Sequence, residues 1–148
     1  MDDPFATNRL AQTQELENIQ DDTVQTDYLV LVAEDMTDIL ITMSLFLQQL
    51  GYRVMTATNG EEAVNAVSLS RPDLILMDLA MPVLDGLGAA RQIRDDASLP
   101  YIPMIAITAF DTGGFLRAAY DVGFDGYLVK PVDFDRMAEL IKSLLPAR

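Results

Sequence analysis

Four short runs in this chain are apolar almost throughout, and each stops at a polar group. Tyr28-Leu-Val-Leu-Val-Ala33 runs into Glu34-Asp35, and Asp73-Leu-Ile-Leu-Met ends in Asp78. Ile102-Pro-Met-Ile-Ala-Ile107 runs into Thr108-Ala109, and Tyr127-Leu-Val129 into Lys130-Pro131. Such runs read as strands over 28–33, 73–77, 102–107 and 125–129, with a further strand at about 52–57. Between them the apolar period lengthens to three and four. Ile39, Met43, Phe46, Leu47 and Leu50 predict a helix over about 37–50, closed by Gly51. Asn59-Gly60 turns into a second helix at about 61–70. Glu61 and Glu62 suit its positive end, and Ala63, Val64, Ala66, Val67 and Leu69 supply its apolar content. Pro72 stops it. Further helices are predicted at about 86–95, 112–122 (closed by Gly123) and 133–145, the last turning Phe134, Met137, Leu140, Ile141 and Leu144 inward.

Five strand–helix repeats with short connections predict an α/β fold, a parallel sheet with helices on both faces. The run before Asp78 is almost continuously apolar, as a central strand covered on both sides requires. In a parallel sheet all the strand-end groups meet at the carboxyl edge, where open α/β sheets bind ligands.

Residues 1–27 lack this pattern. Leu10, Leu16 and Ile19 make no full stripe, and the segment reads as a flexible acidic arm with at most a transient helix over about 8–20. The folded unit is expected over 28–146, with nothing left after it for an output domain.

Charge and composition narrow the function. The net charge is −13, and both the arm and the remainder are acidic. With no Lys/Arg stripe to neutralise phosphates, direct nucleic-acid binding is not expected. No run of 18 apolar residues predicts a membrane span, and the start of the chain lacks a secretory pattern, so a cytoplasmic protein is expected. Cysteine and histidine are absent. The chain therefore cannot carry a phosphohistidine, use a thiolate, or run a Ser-His-Asp triad in its usual form.

Glu34, Asp35 and Asp78 are three carboxylates expected within a few ångströms of one another. Such crowding calls for a cation. Mg²⁺ fits, because it prefers oxygen, keeps waters and uses one or two carboxylates plus a phosphate. A main-chain carbonyl near Ala80 completes such a shell. Asp78 is the natural nucleophile towards phosphorus, forming an acyl phosphate. Lys130 and Thr108 are placed to stabilise the equatorial oxygens. Each residue alone has a plainer reading: Glu34-Asp35, Thr37 or Asp38 as a helix cap, Asp78 as a turn residue. Their joint occurrence at four strand ends favours the site. Pro131 after Lys130 ends a strand and admits a cis bond.

At these residues the chain resembles the receiver domain of two-component response regulators, over about 28–145. The resemblance rests on Glu34-Asp35, Asp78 in Met-Asp-Leu-Ala-Met-Pro-Val-Leu-Asp-Gly, Thr108-Ala109, Gly123 and Tyr127-Leu-Val-Lys130-Pro131. It implies a flavodoxin-like doubly wound sheet of order 2-1-3-4-5. It implies Asp78 as acceptor of a phosphoryl group from a partner phosphohistidine, on a histidine kinase or histidine phosphotransfer protein. It implies Mg²⁺ on Asp35, Asp78 and the Ala80 carbonyl, with Glu34 holding a metal-bound water. Thr108, Ala109 and Lys130 would bind the phosphoryl group. Thr108 and Tyr127 would form the switch, Tyr127 turning inward as Thr108 is drawn to the phosphate. Output would pass through protein binding to a downstream target or through a phosphorelay.

Ala80 and Phe110 are expected to flank the path of the hydrolytic water, and neither can orient it, so both tune dephosphorylation. Gly113-Gly114, at the start of the fourth helix, reads as a switch element kept loose. Three other readings fit less well. An aspartyl phosphatase resembles Asp-x-Asp, and here the second position is Ala80. A flavin-binding protein needs a phosphate loop after the first strand, where Glu34-Asp35 would repel the phosphate. A receiver-like interaction domain that takes no phosphate has no need of Asp78, Thr108 and Lys130 together.

Overall fold

The structure, a computed structural model, describes residues 27–109 and 113–147. The expected arm, apart from Asp27, and Phe110 lie outside them. The elements in order are β1 (Leu29–Ala33), α1 (Thr37–Gln49), β2 (Arg53–Ala57), α2 (Gly60–Ser70) and β3 (Leu74–Asp78). There follow α3 (Gly86–Asp95), β4 (Met104–Thr108), α4 (Gly113–Val122), β5 (Gly126–Val129) and α5 (Phe134–Leu144). All five strands are parallel, in the order β2-β1-β3-β4-β5. This is the doubly wound α/β sheet implied by the resemblance.

Side chains alternate across the sheet, as strand geometry requires. Leu31, Ala33, Ile75, Met77, Met104 and Ala106 pack with Ala63 and Val67 of α2, Ala89, Ala90 and Ile93 of α3, and Ala119 of α4. Val30, Val32, Leu74, Leu76, Ile105, Ile107 and Leu128 pack with Leu40, Met43 and Leu47 of α1 and Met137 and Ile141 of α5. Strands β3 and β4 are buried at every position, whereas the edge strand β2 is buried only at Ala57. Asp78 and Thr108 thus end the two strands that are covered on both faces.

Several sequence expectations shift in detail. The fourth strand begins at Met104 rather than Ile102. Pro103 has no N–H to give to the ladder, although its carbonyl accepts from Ile75 N at 2.9 Å. In α1 the buried residues are Leu40, Met43 and Leu47, while Ile39, Phe46 and Leu50 are half-buried. The inward stripe is rotated because α1 packs on the sheet with α5 beside it, where Phe46 meets Phe134. Leu69 of α2 is 86% exposed and contributes nothing to the core. The alternative capping role at α1 also falls away: its N-cap is Met36, with no side-chain cap, and Thr37 and Asp38 lie within the first turn. Elsewhere the caps are conventional. Asn59 accepts from Glu62 N at 2.8 Å and Asp85 from Gly88 N at 2.7 Å.

Candidate functional site

Register brings the strand-end groups together. Ala33 pairs with Met77, Asp78 with Ile107, and Thr108 with Val129. The residues that follow, Glu34 and Lys130, therefore flank Asp78 and Thr108 at one rim. Glu34, Asp78 and Thr108 are buried, while Asp35 is exposed. One carboxylate oxygen from each of Glu34, Asp35 and Asp78 lies within 4.8 Å of the other two.

The two oxygens of Asp78 have different partners. Its Oδ1 accepts from the backbone N–H of Ala80 at 3.0 Å, and its Oδ2 from Lys130 Nζ at 2.9 Å. Lys130 also donates to Glu34 Oε1 at 3.3 Å. The peptide bond between Lys130 and Pro131 is cis. Lys130 N bonds to Thr108 O at 2.8 Å, which fixes the lysine to the end of β4.

Charge in this rim is under-compensated. Glu34 Oε2 is buried with no hydrogen-bond donor. Burial first, then the neighbouring Asp78 carboxylate, pushes the Glu34 pKa up to about 8, against the opposing pull of Lys130. For Lys130, burial works against the charge, but Asp78 and Glu34 outweigh it and raise the pKa above its usual value. An orphaned carboxylate oxygen among three acids can be satisfied by a proton or by a cation. The all-oxygen donor set, with one exposed member, suits a hard divalent ion that retains waters. A single lysine cannot neutralise three carboxylates.

The loop after β3 is held by close backbone approach at two glycines. A Cβ at Gly86 would lie 2.3 Å from Asp78 O, and one at Gly60 would lie 2.0 Å from Leu84 O. Gly60 N donates to that same Leu84 oxygen at 2.9 Å. Only glycine permits these contacts. The sequence motif marked Gly86, but Gly60 read merely as part of a turn. Between them Val83 has φ 71, and Leu84 N bonds to Pro82 O at 2.8 Å. This is a γ-turn of positive φ, a rare and strained form that is costlier still for a β-branched residue. Nothing in the residue pattern signals it.

Of the other expected residues, Ala80 is exposed and contributes its N–H to Asp78. Ala109 is exposed beside Thr108. Tyr127 is half-buried against the core on the α2–α3–α4 face. It pairs in the sheet with Ala106, which stands two residues before Thr108 on the same strand. The rim of α1 is unexpectedly apolar: Met36, Ile41 and Leu45 are each more than half exposed. A groove of about 550 Å³ between α1 and the segment after β5 is bordered by Ile39, Lys130, Val132 and Phe134. No helix among the described residues is long and apolar enough to cross a membrane.

Comparison with known proteins agrees with this geometry. The sequence profile of the response regulator receiver domain matches residues 30–142. The polar-differentiation response regulator DivK of Brucella anthropi is 37% identical over 119 residues, spanning 78% of this chain and 94% of that protein. Among solved structures, the chemotaxis response regulator CheY4 of Vibrio cholerae superposes with a TM-score of 0.76 at 29% identity. That match covers 81% of this chain and all of the other. The receiver domain of the Francisella response regulator 1452 gives a TM-score of 0.75 at 27% identity, covering 80% and 96%.

Proposed function

The chain belongs to the response regulator receiver domain family, and on that premise we propose that Asp78 is its phosphoacceptor. The carrying observation is that Asp78 Oδ2 receives Lys130 Nζ at 2.9 Å while Glu34 and Asp35 crowd the same rim. An Asp78 carboxylate oxygen attacks phosphorus in the phosphohistidine of a partner. The P–N bond breaks, its electron pair returns to the imidazole nitrogen, and an acyl phosphate forms. Lys130 and the Thr108 hydroxyl bind the equatorial oxygens, with Ala109 beside them. Asp35, Asp78 and the Ala80 carbonyl would hold Mg²⁺, and Glu34 would reach it through a water. The ion, when bound, supplies neutralising charge to the carboxylates and the transferring group.

The donor is a histidine kinase or a histidine phosphotransfer protein. The exposed apolar rim of α1 beside the site offers it a docking place. Thr108 is drawn to the phosphoryl group and Tyr127 turns inward behind it, so that the change reaches a downstream protein or a relay partner. The chain thus acts as a cytoplasmic phosphoacceptor that assists its own phosphorylation and dephosphorylation, not as an enzyme on a separate substrate.

Incubation with acetyl phosphate and Mg²⁺ followed by intact mass measurement tests this. One phosphate's mass is expected, and Asp78→Asn is expected to abolish it. Undiminished labelling of the Asn variant would overturn the assignment.

A further inference from the structure

The connection between β2 and α2 touches both walls of the site. Ala57, the last residue of β2, accepts from Glu34 N at 3.0 Å, and Gly60, the first of α2, donates to Leu84 O at 2.9 Å. One end of the connection therefore holds the strand end that carries Glu34 and Asp35. The other holds the far end of the loop that follows Asp78. The connection is itself tied down. Asn59 accepts from Glu62 N at 2.8 Å, and the Glu62 carboxylate returns to Thr58, accepting from its N–H and its hydroxyl at 3.0 Å each. These reciprocal bonds box in the first turn of α2.

The loop after Asp78 is caught at both ends. At its start Leu79 N donates to Ile107 O at 2.9 Å, which fixes it to β4. At its far end Leu84 is held twice: its carbonyl by Gly60, and its side chain over Gly88, where a Cβ would stand 2.7 Å from Leu84 Cδ1. Val83, next to Leu84, holds φ 71, and packing does not reward it, for the residue is 76% exposed. A β-branched residue left to itself avoids that region of φ. What keeps Val83 there is the capture of its neighbour. Strain that persists because the surroundings impose it gathers at functional sites, where it presets geometry. Here the strained turn lies three residues from Ala80, whose N–H bonds to Asp78 Oδ1 at 3.0 Å.

We propose that Gly60 is a positioning residue for the metal site: from the capped start of α2 it holds Leu84 O, keeps the strained Val83 turn closed, and so fixes the loop that presents the Ala80 carbonyl. This rests on the reading that Asp35, Asp78 and that carbonyl take the ion. Gly60 can approach Leu84 O because it has no Cβ; one would stand 2.0 Å from that oxygen. Any other residue at 60 therefore pushes the loop away. Once released, Val83 relaxes to negative φ and the loop that carries Ala80 shifts with it.

The test uses the full chain with Mn²⁺ as the probe, free ion being counted by electron paramagnetic resonance, and urea denaturation in chelator beside it. Gly60→Ala is expected to bind Mn²⁺ roughly tenfold more weakly, the low end of what losing an outer contact costs a metal site. Ala66→Gly, which weakens the same helix away from the loop, should bind as the parent does. Asparagine adopts positive φ far more readily than valine, so Val83→Asn should be at least as stable as the parent and bind Mn²⁺ no less tightly. Added to Gly60→Ala, it should restore part of the lost affinity, because the loop no longer springs open. Parental binding in Gly60→Ala overturns the proposal, as does an equal loss in Ala66→Gly or an unrelieved loss in the double variant. If Gly60→Ala does not fold, Val83→Asn decides alone, and weaker binding or lower stability there overturns the strained turn. If the parent and Asp35→Asn bind alike, or the parent binds no ion, the reading of the metal site has itself failed and the positioning role falls with it.

Discussion

Lys130 Nζ donates to Asp78 Oδ2 across 2.9 Å, joining the ends of two strands that are not neighbours in the sheet. The same ammonium reaches Glu34 Oε1 at 3.3 Å. One cation thus bridges the two buried acids of the rim.

Removing that cation leaves the buried Asp78 carboxylate and the buried Glu34 carboxyl group with no opposing charge. Lys130→Met is expected to destabilise the metal-free protein by about 1–3 kcal/mol, less than a fully buried pair because the lysine is partly exposed. Mg²⁺ should recover part of that loss if it binds the same carboxylates, as proposed, while phosphorylation by acetyl phosphate should fall sharply. Urea denaturation with and without Mg²⁺, together with mass gain, checks both parts. A variant as stable as the parent without metal would mean that the pair contributes nothing.

Glu34 makes stability depend on pH in an unusual direction. Unfolded, it titrates near 4.5; folded, it keeps its proton up to about 8. Between those values the folded state binds more protons, so raising the pH favours unfolding. The metal-free protein should lose stability from pH 5 to 8, with a slope no steeper than about 1.4 kcal/mol per pH unit. No histidine is present to mask the effect. Glu34→Gln should flatten the slope. Denaturation midpoints in chelator at pH 5.5, 6.5 and 7.5 measure it, and a parent curve that rises with pH would contradict the assignment.

Mg²⁺ should bind the unphosphorylated protein weakly and raise its melting temperature, since binding to the native state alone stabilises it. Asp35→Asn should remove most of that rise. Without metal the same variant should be no less stable than the parent, because a like charge has been removed from the rim. Thermal melts over a Mg²⁺ titration distinguish the outcomes. An undiminished rise in the variant would place the ion elsewhere.

The acyl phosphate should be long-lived for its family. Hydrolysis requires a water in line with the Asp78 oxygen, and neither Ala80 nor Phe110 carries a polar group to orient one. Installing Asn at 80 and Glu at 110 should speed loss of phosphate several-fold, on the order of 1 kcal/mol of barrier. Decay of the phosphorylated mass over time, parent against double variant, gives the ratio. Equal decay would reduce both side chains to packing.

The order and kind of the elements were legible in the residue pattern because periodicities of 2 and 3.6 are local properties. Parallel strands then carry Glu34, Asp78, Thr108 and Lys130 to one rim without further information, since their place at strand ends is written in the chain. Strand order was not local: β1 lies between β2 and β3 through pairings such as Val30 with Leu74, and only the family resemblance anticipated it. Other features needed the tertiary structure. The α1 stripe turned to Leu40, Met43 and Leu47 because α5 lies beside it, and helical period alone does not say what flanks a helix. Gly60 is required by a carbonyl from another loop, Leu84 O, and Val83 holds a positive φ that its side chain disfavours. Burial left Glu34 Oε2 without a donor, and desolvation at that depth depends on every neighbour at once. Arg94, an ordinary surface charge by its position in α3, became the clamp of α4 and β5 only when Gly123, Asp125 and Tyr101 converged on it. Those contacts join residues far apart in the chain, so the packing of distant segments decided them and no local pattern encoded them.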